Sequence, residues 1–395
     1  MNISHRLRQV GRVAFKRESN LYKLGASVYH RLRPALVRLS LDQRTPLDNA
    51  MQLAAIARAS TTCRPRAGGK RIVFLTVRGW PVHLATETML AARLRQMGHD
   101  VSFWICADSF AFCMFGSINF SEQQQHDCIS CGKSKAFAPG AYFDTNRLHC
   151  SEEATQTIQA SVAQLRIEEC RKFEYDTFPY GDLVYPGIVW FLRRTKLTEN
   201  DAAVYRKALV SGHATRVALE QLVTDQRPDT VVMLNGEFNV EHVAGYVFKR
   251  LGIRFVTHDY TFHERLGVAA DKSVWDDLTF CDESREHPPA ITTEEQLQAE
   301  DLLQQWRRTG GYQGDLFWDS KDLHQNSNLR SEIGLDARPL AVAYTSLTFE
   351  SSVVGKDRAF KDQFEWISAL IKWFADRPAC QLAIRIHPAE VGADH

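Results

Sequence analysis

Apolar and polar positions recur along the chain in three units that each predict a strand, a helix and a second strand. In each unit a short apolar run precedes a segment whose apolar residues follow helical spacing, and a second apolar run closes the unit. Short helices between apolar strands favour parallel pairing in a Rossmann-like layer. The predicted units are strand 71–77, helix 84–97 and strand 101–106; strand 230–234, helix 240–251 and strand 253–257; strand 339–344, helix 362–375 and strand 381–386.

The segments between these units predict the domain organisation. Residues 107–200 hold a cysteine cluster, a mixed helix over about 151–174 and an aromatic loop, and a polar stretch over 270–335 has one helix near 293–308. The fold class is therefore α/β, with two Rossmann-like domains and parallel sheets. We expect the second domain to be incomplete, because such a domain needs roughly 100 residues. The predicted segments are a basic helical region and linker (1–67), a Rossmann-like acceptor domain with a cysteine-containing insertion (68–275), an interdomain connection (276–335) and the start of a Rossmann-like donor domain (336–395).

Composition and charge exclude several classes. The chain is 44% hydrophobic and 24% charged with a net charge of +1, so a soluble globular protein is expected and a nucleic-acid partner is not. No apolar run approaches the roughly 18 residues that span a bilayer. The N-terminus lacks the apolar core of a secretion signal, so a cytoplasmic location is predicted.

The first 45 residues are strongly basic, with ten Lys and Arg residues against Glu18 and Asp42. An amphipathic basic helix can lie on an anionic membrane surface, which predicts peripheral contact with the inner face of the plasma membrane. The alternative is a solvated helix that packs on the first domain.

Polar residues follow the last predicted strand. Arg385 lies at its end, His387-Pro388 stops it, and Glu390 comes shortly after. Ligands bind at the carboxyl ends of strands in open α/β sheets. Arg385 and His387 are therefore expected to contact a phosphate, and Glu390 to orient a sugar hydroxyl or His387. The alternative is an ordinary polar strand end.

A hydroxyl-rich loop follows the strand over 339–344. Thr345 and Ser346 can hold a phosphate together with main-chain amides near a helix N-terminus, and Glu350 belongs to the same loop. The alternative is a solvated loop with a helix cap.

The turn after the first strand contains Arg78, Trp80, His83 and Glu87. His83 is a candidate general base for an acceptor hydroxyl, since imidazole titrates near neutral pH. Glu87, four residues further on, can orient it. Alternatively, His83 merely caps the N-terminal region of a helix.

A second polar group follows the strands of the second unit. Asn235, Gly236 and Glu237 come after the first of these strands, and His258 and Asp259 after the next. The carboxyl ends of adjacent strands bring both groups to one cleft. There Glu237 or Asp259 is a candidate base, as the alternative to His83. Asn235-Gly236 also suits a plain turn.

Four of the nine cysteines fall between positions 106 and 131, namely Cys106, Cys113, Cys128 and Cys131. The CxxC spacing of the last two is typical of zinc or iron–sulfur ligands, so a structural metal site is predicted. Free buried cysteines and a redox pair are the alternatives.

The order of four stretches resembles GT-B glycosyltransferases of bacterial capsule and surface-polysaccharide biosynthesis. The likeness covers roughly residues 70–390. The stretches are LRQMGHDVSFWIC (94–106) with the later Cys128-x2-Cys131, Asn235-Gly236 with LGIRFVT (251–257), YTSLTFE (344–350), and Glu365-Trp366 through RIHPAE (385–390).

The resemblance implies transfer of a sugar from a CMP-, CDP- or UDP-linked donor to a polysaccharide or lipid-linked glycan, without a catalytic metal. His387 and Pro388 match the family's His-Pro, which is associated with the donor phosphate. The first domain is expected to bind the acceptor, with Arg78, Trp80, Glu87, Asn235, Gly236 and His258 as candidates. The family's second domain continues past His-Pro, so this chain looks truncated. The alternatives are a CDP-polyol phosphotransferase, a nucleotide-sugar epimerase and a non-catalytic, metal-stapled binding protein.

Overall fold

The computed structural model describes residues 63–106, 110–114, 131–132, 134–136, 139–149, 151–260, 266–276, 290–309 and 329–387. The predicted basic N-terminal helix lies outside these residues.

Eight strands form two sheets in the described part of the chain. They are β1 (Arg71–Thr76), β2 (Asp100–Cys106), β3 (Asp144–Leu148), β4 (Thr230–Leu234), β5 (Arg254–Tyr260), β6 (Leu266–Ala270), β7 (Leu340–Tyr344) and β8 (Gln381–Arg385). The larger sheet has the order β3-β2-β1-β4-β5-β6, and β7 and β8 form the smaller one. β1 runs parallel to β2, β2 to β3 and β7 to β8, whereas β5 and β6 are antiparallel. The predicted α/β class is confirmed, and the strand order is compatible with a Rossmann-like fold.

The α-helices whose two ends lie in the described part of the chain are α1 (Pro81–Gln96), α2 (Glu152–Val162), α3 (Ile167–Arg171), α4 (Tyr180–Leu192), α5 (Ala202–Gln226), α6 (Asn239–Leu251), α7 (Thr293–Thr309), α8 (Leu329–Glu332) and α9 (Gln363–Ala375). Short 3-10 helices span Glu199–Asp201 and Val274–Asp276. In the described part of the chain, no helix is both long enough and apolar enough to cross a membrane.

The chain divides into two compact units. The first unit contains β1, β2, β3 and α1, and the second contains the other helices and nearly all of β4 to β8. The predicted donor segment therefore belongs to the same unit as β4, β5 and β6.

The first unit is built on β1. Five consecutive residues of this strand are buried, as its continuous apolar run predicts for a strand that is covered on both faces. The Phe74 and Phe103 rings stack at 5.1 Å across the parallel pair with β2. α1 begins with Pro81 at its N-terminus, where proline suits the first turn, and Gly98 has a φ of +94° just beyond its end.

The second unit is centred on α5, which packs against α2, α4 and α6. Tyr205 of α5 is fully buried and donates a hydrogen bond to the carbonyl of Gly181 at 2.9 Å. α6 ends at Gly252, whose φ of +66° gives the left-handed cap that its sequence predicts.

α4 corrects the sequence interpretation, because its residues were predicted to lie in an aromatic loop. The helix contains Pro186 and is buried over most of its length. Its aromatic, glycine and proline residues show no amphipathic period, and a helix that is apolar all round is stabilised by burial. The mixed helix predicted over 151–174 is divided into α2 and α3.

Candidate functional site

The turn after β4 is held by its own side chains and by β5. The Asn235 N–H donates to the carbonyl of His258 at 2.9 Å, and the Glu237 N–H donates to Oδ1 of Asn235 at 2.9 Å. Gly236 has a φ of +85°, and a Cβ there would lie 3.1 Å from the Thr257 methyl carbon. This position therefore favours glycine on two grounds. His258 is fully buried, and its carbonyl is the group that supports the turn.

Asp259 is a hub of hydrogen bonds beside this turn. Its Oδ2 accepts from Nδ2 of Asn235 at 3.0 Å and from Nε1 of Trp275 at 3.1 Å. Its Oδ1 accepts from the backbone N–H of Tyr260 at 2.8 Å. Three donors already occupy lone pairs of this carboxylate. It is therefore better suited to orient Asn235 and Trp275 than to take a proton from a substrate.

Glu237 lies in a different environment. It is 5% exposed, it accepts a hydrogen bond from the Ser273 hydroxyl, and Nζ of Lys356 lies 2.5 Å from its Oε1. Lys356 also pairs with Asp276 at 3.0 Å. Burial raises the pKa of Glu237 above its ordinary value, although the hydrogen bonds from Lys356 and Ser273 oppose the shift. A raised carboxyl pKa is the property that a general base near neutral pH needs.

The predicted donor residues meet at the ends of β7 and β8. The Thr345 N–H donates to the carbonyl of Arg385 at 3.1 Å, and the His387 N–H donates to Oγ1 of Thr345 at 2.8 Å. The Ser346 N–H donates to Oε1 of Gln363, the first residue of α9, at 2.6 Å. The parallel register of the two strands thus brings together residues that are some 40 positions apart. Pro388 and Glu390 lie outside the described residues.

The loop after β7 also docks on the rest of the second unit. Nε1 of Trp190, on α4, donates to Oε1 of Glu350 at 3.0 Å. Burial is the main cause that raises the pKa of Glu350, and the hydrogen bond from Trp190 opposes it. This contact holds the middle of the loop, and Lys356 on Glu237 fixes its far end.

A cavity of about 420 Å³ opens beside Glu237. Its walls come from α4, α6, the turn after β4, the segment before Asp276 and the end of the β7 loop. The lining residues are Arg171, Asp182, Leu183, Tyr185, Pro186, Met233, Gly236, Glu237, Glu241, His242, Gly245, Tyr246, Lys249, Phe255, Lys272, Ser273, Asp276, Val354, Gly355 and Lys356.

Sequence reasoning missed several polar residues of this cavity. Lys356, Ser273, Asp276 and His242 are far apart in the chain and match no spacing that indicates a site. The one usable signal was the position of Glu237 just after a predicted strand. A carboxylate that is buried there needs hydrogen-bond or charged partners from other parts of the chain.

The first unit holds the other predicted acceptor group, around the start of α1. The guanidinium of Arg78, which is 5% exposed, lies 5.1 Å from the centre of the Trp80 ring, and the Trp80 and His83 rings are 5.6 Å apart. Glu87 is 2% exposed and accepts a hydrogen bond from Oγ1 of Thr76 at 2.5 Å. The structure therefore clusters Arg78, Trp80 and His83, and it ties Glu87 to β1.

The predicted cysteine ligands are only partly described. Cys131 is buried and accepts a hydrogen bond on Sγ from the Gly79 N–H at 3.0 Å, Cys106 ends β2, and Cys113 belongs to the second unit. Cys128 lies outside the described residues. Within them, no group of three or more His, Cys, Asp or Glu side chains is arranged to hold a metal. The four-cysteine metal site stays a prediction.

The described residues form an α/β protein whose strand order is compatible with a Rossmann-like fold. Its second unit has a polar cavity beside the carboxylate of Glu237. Comparison with known proteins gives no match to a family, to a curated protein or to a solved structure. The interpretation of the site therefore rests on its own geometry.

Proposed function

We propose that the protein is a glycosyltransferase of the GT-B type, which moves a sugar from a nucleotide-linked donor to a polysaccharide or lipid-linked glycan of the cell envelope. The reaction is displacement at the anomeric carbon of the donor sugar. A base takes the proton of the acceptor hydroxyl, the new glycosidic bond forms, and the nucleotide leaves with the electron pair of the broken bond.

Glu237 is the base in this proposal. It is a buried carboxylate with a raised pKa, and it borders a cavity that is large enough for a small substrate. Asp259 orients Asn235 and Trp275 beside it. His83 is the alternative base, and it belongs to the first unit.

Arg385 and His387 stabilise the departing phosphate. Arg385 is exposed at the end of β8, and His387 is tied to the hydroxyl-rich loop through Thr345. A guanidinium fork and an imidazole near developing negative charge give electrostatic stabilisation of the transition state.

One observation carries the proposal: the loop over residues 345–356 contacts His387 at its start and the candidate base, Glu237, at its end. Thr345 bonds to His387 at one end of this loop, and Lys356 bonds to Glu237 at the other. Groups suited to a donor phosphate and a group suited to an acceptor proton are thus joined by 12 residues of chain within one compact unit.

The test is release of free nucleotide from UDP-, CDP- and CMP-linked sugars by the purified chain, with a bacterial surface-glycan extract as acceptor. We expect release that depends on the extract and falls at least 100-fold in Glu237→Gln, as loss of a general base predicts. Glu294→Gln, an exposed change on α7, is the matched control and should leave the rate unchanged.

The same assay separates the alternatives. Release of CMP from CDP-glycerol with transfer of glycerol phosphate would favour the polyol phosphotransferase, and conversion of the sugar without an acceptor would favour the epimerase. No release from any donor, together with bound zinc or iron, would favour a non-catalytic, metal-stapled protein. An unchanged rate in Glu237→Gln would remove Glu237 as the base and direct attention to His83.

The membrane location is part of the proposal and rests on sequence alone. The ten basic residues in positions 1–45 are expected to bind the full chain to vesicles that contain anionic phospholipid. Co-sedimentation with such vesicles tests the membrane location. We expect the chain to stay in solution when the vesicles are neutral phosphatidylcholine or when 0.5 M salt is added.

A further inference from the structure

The cavity beside Glu237 follows one side of α6. Glu241, Gly245 and Lys249 all line it, and their spacing of four residues places them along the same side of the helix. From Glu241 to Lys249 the helix rises by roughly 12 Å, at about 1.5 Å per residue. The cavity is therefore longer than one sugar ring, and Lys249 lies at the opposite end of α6 from Glu237.

Three lysines from separate elements line this cavity. Lys249 belongs to the last turn of α6, Lys272 follows β6, and Lys356 ends the loop after β7. Ammonium groups that converge on one cavity from distant parts of the chain favour the binding of an anionic group.

The acidic residues of the lining leave the ammonium group of Lys249 available to a ligand. Asp182 pairs with Arg171, and both Glu237 and Asp276 pair with Lys356. The remaining acidic residue, Glu241, is only 1% exposed.

Lys249 itself is exposed and forms no ion pair with another residue of the described chain. Its Nζ lies 6.0 Å from the centre of the Phe255 ring, which also lines the cavity. The ammonium group is thus held on the cavity side of α6 by a cation–π contact.

The positive charges of this lining act together at His242, in the middle of the α6 segment. Burial lowers the pKa of His242, and the charges of Lys356 and Lys249 lower it as well, whereas Asp276 opposes them. Two ammonium groups at opposite ends of α6 are therefore both within electrostatic reach of the same part of the cavity.

Aromatic side chains form another part of the lining. Tyr185, Tyr246 and Phe255 supply ring surface. Sugar carbons that bear C–H groups pack on such a surface, while hydroxyls and charged substituents reach polar groups at its edge. Sugar rings that carry an anionic substituent match both the aromatic and the basic parts of the cavity.

We propose that this cavity binds an acidic glycan segment, in which a carboxylate or phosphate on one sugar is held by Lys249 and Lys272 and the next sugar lies nearer Glu237. The negative charge of Glu237 repels the anionic group and so favours its placement at the Lys249 end. Insofar as the sugar beside Glu237 is the acceptor, the inference rests on the proposed function; the anion site itself does not.

The experiment is a saturation-transfer NMR titration of the full chain at low salt and without any nucleotide. The probes are methyl glucuronide, glucose 6-phosphate, a disaccharide with a terminal glucuronate, and neutral methyl glucoside. We expect the acidic sugars to bind about tenfold more tightly than methyl glucoside, the disaccharide most tightly of all, and 0.5 M salt to remove most of this difference. The tighter of methyl glucuronide and glucose 6-phosphate identifies the anionic group as carboxylate or phosphate.

Lysine variants locate the anionic group in the cavity. Lys249→Gln and Lys272→Gln each remove one ammonium group and should weaken binding of the acidic sugars about fivefold, and the double variant should weaken it about twentyfold. Lys249 is exposed, so its replacement should leave the thermal transition near that of the parent. Lys372→Gln is the matched control, because it removes an exposed lysine from the last turn of α9 and should bind the probes as the parent does.

The proposal is overturned if methyl glucoside binds as tightly as the acidic sugars, if none of the probes binds, or if the double variant binds as the parent does. Acidic sugars that bind while no nucleotide-linked donor is turned over would instead count against the glycosyltransferase and leave the anion site standing. Turnover with neutral acceptors alone would do the reverse.

Discussion

The pair of Lys356 and Glu237 provides the sharpest test of how the second unit is held together. Lys356→Met keeps most of the side-chain volume and removes the ammonium group. Glu237 then remains buried with a hydrogen bond from the Ser273 hydroxyl, and its negative charge is no longer balanced by the ammonium group. Asp276 also loses a partner, but its side chain is 46% exposed, so water replaces the lysine there.

The magnitude follows from the exposure of the two partners. Removal of one member of a fully buried ion pair costs about 3–5 kcal/mol, and a hydrogen bond to a charged group contributes about 1.5–3 kcal/mol. The side chain of Glu237 is 6% exposed and that of Lys356 is 24% exposed, so solvent screens part of the interaction. We expect Lys356→Met to lower the free energy of unfolding by about 2–3 kcal/mol at pH 7.5.

The loss should depend on pH. The pKa of Glu237 is raised in the folded protein, and without Lys356 it rises further, so acidification lets the carboxyl take a proton and removes the buried charge. The stabilising effect of a raised pKa is present at low pH and is lost as pH rises through the folded-state value. The penalty of Lys356→Met should therefore be smaller at pH 5.5 than at pH 7.5.

Urea unfolding followed by tryptophan fluorescence measures these differences. Lys361→Met, an exposed change close by in the chain, should shift the free energy of unfolding by no more than about 0.5 kcal/mol. In the double variant Glu237→Gln/Lys356→Met the buried amide is neutral, and most of the lost stability should return. The reasoning fails if Lys356→Met matches Lys361→Met, or if the penalty persists in the Glu237→Gln background.

Three further predictions concern the second unit. Tyr205→Phe should lower the free energy of unfolding by about 1 kcal/mol, because the buried carbonyl of Gly181 loses its 2.9 Å hydrogen bond; an unchanged urea midpoint would contradict this. Gly236→Ala should cost about 1 kcal/mol more than Gly252→Ala, since both positions have a positive φ but only the first would bring a Cβ against Thr257; equal losses in urea unfolding would remove the steric argument. Burial lowers the pKa of His213, so the stabilising effect of its neutral form is present above about pH 6.5 and is lost as pH falls through the lowered pKa. His213→Gln should therefore reduce the fall of the urea midpoint between pH 7.5 and 5.5. An identical fall in the variant and the parent would refute this prediction.

The local pattern predicted the strand–helix–strand units with small errors at their ends. β4 agrees with the predicted strand, and α6 begins one residue before its predicted start and ends at the cap provided by Gly252. These elements have clear periods and glycine signals, which depend on neighbouring residues alone. α4 was missed because its stability comes from burial on nearly all sides, and burial is not visible in a segment with no amphipathic period.

The sequence by itself determined the α/β class and the strand ends near which Asn235, Glu237, Thr345 and His387 lie. Only the tertiary structure decided the partners of Glu237. Lys356 lies 119 residues further along the chain and Ser273 lies 36, and both serve the same buried carboxylate. The physical reason is that a buried charge is stabilised by whichever opposite charge the packing brings within a few ångströms, and sequence separation does not enter that distance.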